Sequence, residues 1–499
     1  MELWSGFLEL ADPLTILLLT IGVILGVAIG SLPGLTATMG VALFLPVTFG
    51  MEAINGILLL VGIYFGSIYG GSIAAILLNT PGTPAAAATA IDGYAMTRKG
   101  EARTALNISV LGSGFGAITS VLLLIFVAPQ LANVALNFSA PEMFALAFFG
   151  LSIISSISGE TMLKGVIVGV AGLIVATVGL DPMTSIPRFT FDQPALLEGI
   201  DFIPVMIGLF AISESFMMID RLFQHYKDGQ QPIVKLLKTK WQSIPRLLPT
   251  MTRSSFIGSF MGIIPGVGAE IAAFVSYNEA KRFSKKEEKK LFGKGNPKGV
   301  AAAESGNQGV AGGAMVPMLT LGIPGDAVTA VMLGAFIVQG VQPGPQIFEQ
   351  SSELIYTLFA GMLVAAIIMV IVGLLGIRIF VKILRVPQTM MIPIILVLST
   401  VGSFAINNSM FDVYLALAAG IIGYFMKKNG FPAAPFVLAL ILGPLAESEF
   451  RRALTMADGS YMIFLTRPIA AALITLAIMS LFAPVLKNLM QRKTSNTNS

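Results

Sequence analysis

The chain has 499 residues, of which 55% are hydrophobic and only 12% are charged, whereas a soluble globular chain usually has about 25% charged residues. This composition excludes a protein whose whole surface faces water, so the solvent of the chain must be largely lipid. The absence of cysteine excludes disulfides, thiolate metal sites and cysteine nucleophiles, and the small net charge of +4 does not indicate a nucleic-acid partner.

Continuous apolar runs recur along the chain, and each approaches the ~20 residues that a helix needs to cross a bilayer. Clear examples are residues 13–32, 54–78, 105–129, 354–377 and 463–486. The runs are continuous rather than alternating, which disfavours a transmembrane barrel. The sequence therefore predicts an all-α polytopic membrane protein with roughly 11–15 membrane segments, some of them short half-helices.

The loops differ in their content of Lys and Arg, which predicts the side of the membrane on which each loop lies. Residues 1–12 and the loop around Glu52 have no basic residue and are predicted to lie outside. The N-terminus is therefore expected outside and the C-terminus inside. The stretches predicted to be cytoplasmic are 98–103, 221–253, 281–298, 378–385, 427–428 and 487–493.

The chain repeats itself around four Pro-Gly pairs. Two pairs of segments match: Gly30-Ser-Leu-Pro33-Gly34 with Gly262-Ile-Ile-Pro265-Gly266, and Gly70-Gly71 before Pro81-Gly82 with Gly312-Gly313 before Pro324-Gly325. We interpret residues 1–235, which end in a cytoplasmic linker, and residues 236–499 as two transmembrane repeats.

Each Pro-Gly pair with its flanking residues is called a box, and the loops that flank these boxes carry opposite charge in the two halves. In the first half, the loop between the boxes contains Glu52 and no basic residue, and the loop after the second box is basic at 98–103. In the second half, the loop between the boxes is strongly basic at 281–298, and residues 341–353 are acidic. Because basic loops are cytoplasmic, equivalent loops are predicted on opposite sides of the membrane, which is typical of the inverted-topology repeats of secondary transporters.

A Pro-Gly pair at membrane depth breaks a helix, because proline lacks a backbone donor and glycine lowers helix stability. Broken or re-entrant helices at matching places in two repeats indicate a transporter binding site, where half-helix N-termini attract an anion. The alternative is that each pair is only a packing kink and that nearby hydroxyls bond to helix carbonyls. The candidate substrate-binding residues are Pro33, Gly34, Thr36, Asn79, Thr80, Pro81, Gly82, Thr83, Pro265, Gly266, Pro324 and Gly325.

Polar residues near the same boxes are candidate ligands for a coupling ion. The second repeat has an acid, Glu270 or Asp326, where the first has a hydroxyl. Acids at membrane depth are costly and usually functional; with hydroxyl and amide oxygens they suit Na⁺, whereas a carboxylate alone can carry H⁺. The candidate coupling-ion residues are Thr38, Glu270, Asn307, Thr320 and Asp326.

Two long motifs resemble those of a known family. The first is Tyr69-Gly-Gly-Ser-Ile-Ala-Ala-Ile-Leu-Leu-Asn79-Thr-Pro81-Gly-Thr-Pro84, which runs on to Asp92-Gly-Tyr-Ala-Met-Thr-Arg-Lys-Gly100. The second joins Glu304-Ser-Gly-Asn-Gln, Gly312-Gly313 and Leu319-Thr-Leu-Gly-Ile-Pro324-Gly325. Both resemble the large membrane subunit of tripartite tricarboxylate transporters, and the resemblance covers nearly the whole chain. The chain departs from the family pattern at Gln308, where asparagine is frequent, and at Ala95, where proline is frequent.

The resemblance implies a secondary, ion-coupled importer in the bacterial inner membrane, not an enzyme. It implies two partners, a small four-helix membrane subunit and a periplasmic solute-binding protein, and substrates such as citrate and other carboxylates. Na⁺ or H⁺ would be the coupling ion, and no cofactor is expected apart from transported Na⁺. The residues leave open a passive channel for small solutes. A membrane enzyme is disfavoured, since the sequence has no His-Glu-x-x-His, nucleotide-binding glycine loop or thiol.

Overall fold

The computed structural model describes residues 2–32, 34–152, 162–224, 241–266, 268–384 and 388–479, which are mostly helical. Two short strands among them, β1 (Gly179–Leu180) and β2 (Pro187–Arg188), form one antiparallel pair. Up to residue 224 the helices are α1 (Glu2–Leu10), α2 (Pro13–Ser31), α3 (Ala37–Phe44), α4 (Ala53–Leu78), α5 (Ala86–Arg98), α6 (Ala102–Ala135), α7 (Ala140–Ser152), α8 (Met162–Ala176), α9 (Phe202–Met206), which continues as a π-helical segment (Ile207–Ile212), and α10 (Ser213–Gln224).

From residue 248 onward the helices include several that are only four residues long. They are α11 (Leu248–Ile263), α12 (Gly268–Arg282), α13 (Lys286–Lys289), α14 (Pro297–Leu321), α15 (Ala327–Val338), α16 (Ile347–Gln350), α17 (Ser352–Ile383), α18 (Gln388–Asn407), α19 (Met410–Lys428), α20 (Ala434–Met456), α21 (Ile463–Thr466) and α22 (Pro468–Met479). Short 3₁₀ turns lie at Leu45–Thr48, Pro194–Leu196 and Trp241–Leu247.

Seven helices in the described part of the chain are long and apolar enough to cross a membrane: Pro13–Ser31, Ala53–Leu78, Ala102–Ala135, Phe202–Leu222, Ser352–Phe380, Thr389–Asn407 and Met410–Lys428. Shorter apolar helices accompany them at Ala37–Thr48, Ala140–Ser152, Leu163–Ala176, Ala327–Val338 and Pro468–Met479. The prediction of an all-α, multi-pass membrane protein is therefore confirmed. The number of crossings stays a prediction.

The last apolar run of the sequence is interrupted near its start. Helix α21 ends just before Arg467 and α22 begins just after it, at Pro468. The Arg467 guanidinium lies 3.6 Å from the carboxylate of Glu142 on α7, and Pro468 has no N–H with which to continue the preceding helix. Residues 480–486, the end of this run, lie outside the described part of the chain.

Helices α2 and α4 run parallel to each other with their backbones in direct contact. A Cβ atom added at Gly22, Gly26 or Gly30 of α2 would lie only 2.2–2.4 Å from a carbonyl oxygen of α4. After α2 the chain turns and α3 runs back along α4, so that Gly40 lies beside Ile63. Small residues permit this close helix approach in membranes. The result is a helical hairpin with its tip at residues 32–36, of which Pro33 is not described.

A second hairpin of the same form is built by α11 and α12 against α14. A Cβ atom at Gly258 would lie 2.1 Å from the carbonyl oxygen of Gly306, and one at Gly262 would lie 2.7 Å from that of Val310, so α11 and α14 run parallel. Helix α12 then returns along α14 and brings Ser276 against Gly306. The tip of this hairpin is at residues 264–267, of which Val267 is not described.

The chain breaks after α4 and after α14 fold back onto their own hairpins in the same way. A Cβ atom at Gly82 would lie 2.4 Å from the carbonyl oxygen of Gly30, and one at Gly325 would lie 2.9 Å from that of Gly262. In addition, the Gly266 N–H donates to the Gly325 carbonyl at 2.9 Å. Each half thus closes its two Pro-Gly boxes against one another.

Helix α14 also runs parallel to α6 of the first half. Near its start, the Ser305 hydroxyl donates to the carbonyl of Gly112 at 3.0 Å; further along, the Ser120 hydroxyl accepts from the N–H of Gly312 at 3.2 Å. Helix α14 is buried by protein along almost its whole length. It is therefore the central element that joins the two halves.

Helix α17 fixes the relative direction of α4 and α14. It is antiparallel to α6, because Gly114 lies close to Val370 and Val110 lies close to Gly373. It is parallel to α4, because Leu58 lies close to Gly361 and Tyr69 lies close to Gly373. Because α14 is parallel to α6, it follows that α4 and α14, which hold the matching motifs, run in opposite directions.

Four charged side chains join the loop between α8 and α9 to α20. Arg188 lies 3.4 Å from Asp181 and 2.7 Å from Glu447. Arg451 contacts the same two carboxylates at 2.8 and 2.7 Å. Backbone N–H groups of the Asp181 turn, chiefly that of Thr184, and the Arg451 guanidinium hold the pKa of Asp181 well below its ordinary value.

We expect Asp181→Asn to lower the melting temperature of the purified chain at pH 7. A carboxyl whose pKa is lower in the folded state contributes stability above its unfolded pKa of about 3.9 and loses it as the pH falls towards the folded pKa. The difference from the wild type should therefore shrink as the pH falls below about 4. Asp192→Asn, at an exposed position in the same loop, is the control. If Asp181→Asn lowers the melting temperature as much below pH ~4 as at pH 7, this account is contradicted.

Candidate functional site

The four chain breaks meet at one cavity of about 390 Å³. Its walls come from the tips of both hairpins and from the segments after α4 and α14, together with one face of α4 and of α14. The lining residues are Thr36, Ala37, Thr38, Tyr64, Ile68, Thr83, Pro84, Ala85, Gly266, Gly268, Ala269, Glu270, Ile271, Asn307, Asp326, Ala327 and Val328. Among the candidate site residues, seven line this cavity: Thr36, Thr38, Thr83, Gly266, Glu270, Asn307 and Asp326.

Four helices begin at the cavity wall: α3, α5, α12 and α15. Their N-termini carry unpaired N–H groups and partial positive charge. Candidate residues bond to three of these ends. The Thr36 hydroxyl accepts from the N–H of Met39 and the Thr83 hydroxyl accepts from that of Ala86, both at 3.3 Å, and the Asp326 carboxylate caps α15. The cavity therefore combines four positive helix ends with hydroxyl oxygens.

Asp326 caps α15 and also contacts the first half. Its carboxylate accepts from the backbone N–H and the hydroxyl of Thr329, both at 2.8 Å. It also accepts from the Tyr64 hydroxyl at 3.1 Å, which joins α15 to α4. This geometry fits a structural N-cap, and it leaves the half-exposed carboxylate on the cavity wall.

Asn307 is 1% exposed, and its amide nitrogen has no hydrogen-bond partner among the described residues. A buried donor without a partner is costly and rare in native proteins. Asn307 follows Tyr64 by the same number of residues as Gly325 follows Gly82 (325 − 82 = 307 − 64 = 243), so the two residues hold matching positions in the repeats. Both line the cavity. An occupant of the cavity can supply the acceptor that the amide lacks.

The remaining candidate residues are placed away from the cavity wall. Asn79, Thr80 and Pro81 are exposed, and Asn79 ends α4 in a left-handed conformation with φ of 56°. The Thr320 hydroxyl donates to its own helix, at the carbonyl of Val316. Gly34, Gly82, Pro265, Pro324 and Gly325 lie in the breaks without lining the cavity, and Pro33 is outside the described residues.

Two residues at the centre of the structure were not among the candidates. Tyr64 lies in an uninterrupted apolar run, and only its correspondence with Asn307 could have marked it. Glu304 belongs to a quoted motif, but nothing in the sequence indicates that its carboxylate meets hydroxyls from three other helices. Those contacts join residues far apart in the chain.

The fold and the cavity define a helical, multi-pass membrane protein with broken helices that meet at one cavity. The chain belongs to the tripartite tricarboxylate transporter TctA family, whose sequence model matches residues 16–438. It is thus a transporter subunit of the large membrane type, and it functions with partner subunits. The resemblance found in the sequence is confirmed.

Two relatives from Agrobacterium vitis are similar to the chain. One, called "Uncharacterized 52.8 kDa protein in TAR-I ttuC' 3'region", is 40% identical over 491 residues, which cover 98% of this chain and 96% of the relative. The other, called "Uncharacterized protein in TAR-II ttuC' 3'region", is 38% identical over 236 residues, which cover 47% of this chain and 97% of the relative. No solved structure matches the chain.

Proposed function

We propose that the chain is the subunit through which a binding-protein-dependent secondary transporter imports tricarboxylates or related carboxylates, with Na⁺ or H⁺ as the symported cation. Its partners in this proposal are a small four-helix membrane subunit and a periplasmic solute-binding protein. The complex resides in the bacterial inner membrane, with the N-terminus of the chain outside and the C-terminus inside.

The observation that carries the proposal is the convergence of four broken-helix N-termini on one cavity. These ends favour an anionic substrate group. The charged residues of the lining, Glu270 and Asp326, are both acidic, and the described lining contains no Lys or Arg. A carboxylate substrate beside two acids in a medium of low dielectric requires positive charge nearby. A co-transported cation, bound in the cavity or next to it, supplies that charge, which favours symport over passive passage of the anion.

The arrangement of the two halves supports alternating access. Matching hairpins pack in matching ways onto α4 and α14, and these two helices run in opposite directions. Inverted repeats around a central site permit one half to rock against the other and expose the site to either side in turn. We therefore propose residues 1–235 and 236–499 as two inverted repeats.

Uptake of radiolabelled citrate into proteoliposomes tests the proposal. The vesicles contain the chain with its small subunit, the binding protein is added outside, and an inward Na⁺ or H⁺ gradient is imposed separately. We expect accumulation that requires both the binding protein and one of the two gradients. Other labelled di- and tricarboxylates are compared in parallel, because the family name does not fix the substrate.

Three outcomes are informative. Citrate flux that is indifferent to both gradients would favour the passive channel and contradict symport. Accumulation without the binding protein would contradict the tripartite mechanism. If another carboxylate accumulates and citrate does not, the mechanism stands and the substrate is reassigned.

A further inference from the structure

A buried carboxylate lies at the junction of the two halves, next to the cavity but not on its wall. Glu304 of α14 is 0% exposed. Its Oε1 accepts from the hydroxyl of Ser72 on α4 at 2.5 Å and from that of Thr89 on α5, and its Oε2 accepts from the hydroxyl of Ser113 on α6 at 2.8 Å. Three helices of the first half therefore converge on one acid of the second half.

The cavity lies one helical turn from this carboxylate along two separate helices. Asn307, three residues after Glu304 on α14, lines the cavity. Ala85, four residues before Thr89 on α5, lines it as well. One turn corresponds to about 5.4 Å. Asn307, whose amide has no partner in the described part of the chain, thus lies on the cavity wall one turn from Glu304.

No cation pairs with Glu304 among the described residues. On each helix packed against α14, one titratable residue lies closest in sequence to the residues around Glu304. These residues are Tyr69 (α4), Asp92 (α5), Arg103 (α6), Arg253 (α11), Tyr277 (α12) and Asp326 (before α15). Asp92 accepts from Tyr277 at 2.9 Å, and Arg253 stacks on the ring of Phe283 at 4.3 Å. Arg103 precedes Ser113 by ten residues, about 15 Å along a helix. An isolated buried carboxylate is costly in its charged form, and a proton removes that charge.

Hydroxyl partners suit a carboxyl that gains and loses a proton. A hydroxyl donates to the carboxylate, and after rotation it can accept from the protonated carboxyl. Ser109, one turn before Ser113 on α6, is a further buried hydroxyl that interacts with this carboxyl. It too can donate to the carboxylate or accept from the protonated carboxyl. The cluster can therefore satisfy both protonation states.

Asp92 provides the contrast within the same chain. It accepts from the backbone N–H groups of Gly295 and Asn296 at 2.7 and 2.8 Å. A backbone N–H cannot reverse its role, so the oxygen to which both groups donate, Oδ1, must stay an acceptor. Asp92 is a fixed tie between α5 and the loop before α14, whereas Glu304 has partners that can switch.

The spacing of the oxygens also favours a proton over a metal cation. Oxygen ligands of an ion such as Ca²⁺ stand about 2.3–2.6 Å from the ion and surround it. Around Glu304 the hydroxyl oxygens are already 2.5–2.8 Å from the carboxylate oxygens or closer, so they bond to it directly.

We propose that Glu304 is a proton-binding site, separate from the substrate cavity, that takes up one proton from the outward-facing cavity and releases it to the inside in each transport cycle. The assignment rests on the proposed symport function and identifies the coupling ion as H⁺. Glu270 and Asp326 then serve the substrate cavity rather than the proton.

Infrared difference spectroscopy between acidic and alkaline pH tests this assignment without transport. In addition to the bands of its other carboxyls, the purified chain should show one protonated-carboxyl C=O band, from a carboxyl shielded from water, that appears with falling pH. The band should be absent in Glu304→Gln and retained in Asp326→Asn. Ser113→Ala keeps the carboxyl but removes one donor to its ionised form, and we expect the band to appear about one pH unit higher. A band that persists in Glu304→Gln would overturn the proposal.

Transport provides the second readout. In proteoliposomes, Glu304→Gln should retain exchange of labelled for unlabelled substrate at equal pH, because glutamine mimics the protonated carboxyl. Accumulation driven by a pH gradient should fall at least tenfold. Undiminished proton-driven accumulation in this variant would contradict the proposal, as would accumulation in the wild type that requires Na⁺ and ignores the pH gradient. If uptake of every tested carboxylate fails, the infrared result still decides the role of Glu304.

Discussion

Replacing Gly258 by alanine should prevent the chain from reaching its stable fold. The new Cβ atom would lie 2.1 Å from the carbonyl oxygen of Gly306 and 2.9 Å from its carbonyl carbon, both backbone atoms of the central helix α14. Overpacking costs about 1–3 kcal/mol when side chains can yield. Here the backbone itself must move, so we expect a loss of about 3 kcal/mol or more, against a gain of about 1 kcal/mol from helix propensity.

The measurement is the yield of monodisperse protein and its melting temperature in detergent. Gly443→Ala on α20 is the matched control, since its Cβ would meet only side-chain atoms of Ala176 and Leu173 at 3.1 and 3.2 Å. That variant should fold with a small change in melting temperature. A Gly258→Ala protein as stable as the control would show that α11 and α14 can separate at little cost.

Asp326→Asn should abolish most substrate accumulation while leaving the fold intact. Asparagine is as good an N-cap as aspartate, so α15 keeps its cap towards Thr329. The substitution removes the negative charge from the cavity wall. A hydrogen bond to a charged group contributes about 1.5–3 kcal/mol, which corresponds to a loss of roughly 10–100-fold in affinity for a substrate group that donates to this carboxylate.

The control separates the binding role of Asp326 from its structural role. Tyr64→Phe removes the hydroxyl that donates to the carboxylate but leaves the charge and the cap in place. We expect it to reduce uptake less than Asp326→Asn does. If Asp326→Asn transports like the wild type and only Asp326→Ala is impaired, with a lower melting temperature, then Asp326 is a cap and not a ligand.

Much of the architecture could be predicted from the sequence because membrane helices leave strong local signals. Apolar runs of sufficient length marked most of the spans, such as Ala53–Leu78 and Ser352–Phe380. Proline and glycine marked the breaks, since their effect on a helix is local. Helix α14 gave no comparable apolar signal, because it is buried by protein and does not need lipid-compatible side chains.

The site was predicted only in part, because sequence distance from a Pro-Gly pair does not tell which way a side chain points. Thr36 and Thr83 reach the cavity, whereas Asn79 and Thr80, only a few residues from Thr83, are exposed. The C-terminal end of α4 decides this, because Asn79 adopts a left-handed conformation that turns the chain before it folds back. Long-range pairing, such as that of Glu304 with hydroxyls of the first half, has no local signature at all.

The polarity of α14 has a consequence for biosynthesis. The helix includes Glu304, Asn307 and Gln308 and is not among the seven described helices that are apolar enough to span a membrane. A segment of this kind does not partition into lipid on its own, because each polar side chain adds an insertion penalty. Its packing partners α4, α5 and α6 precede it in the chain and are already inserted when it is synthesised. Co-translational insertion of α14 should therefore depend on the first half, whose helices surround it in place of lipid.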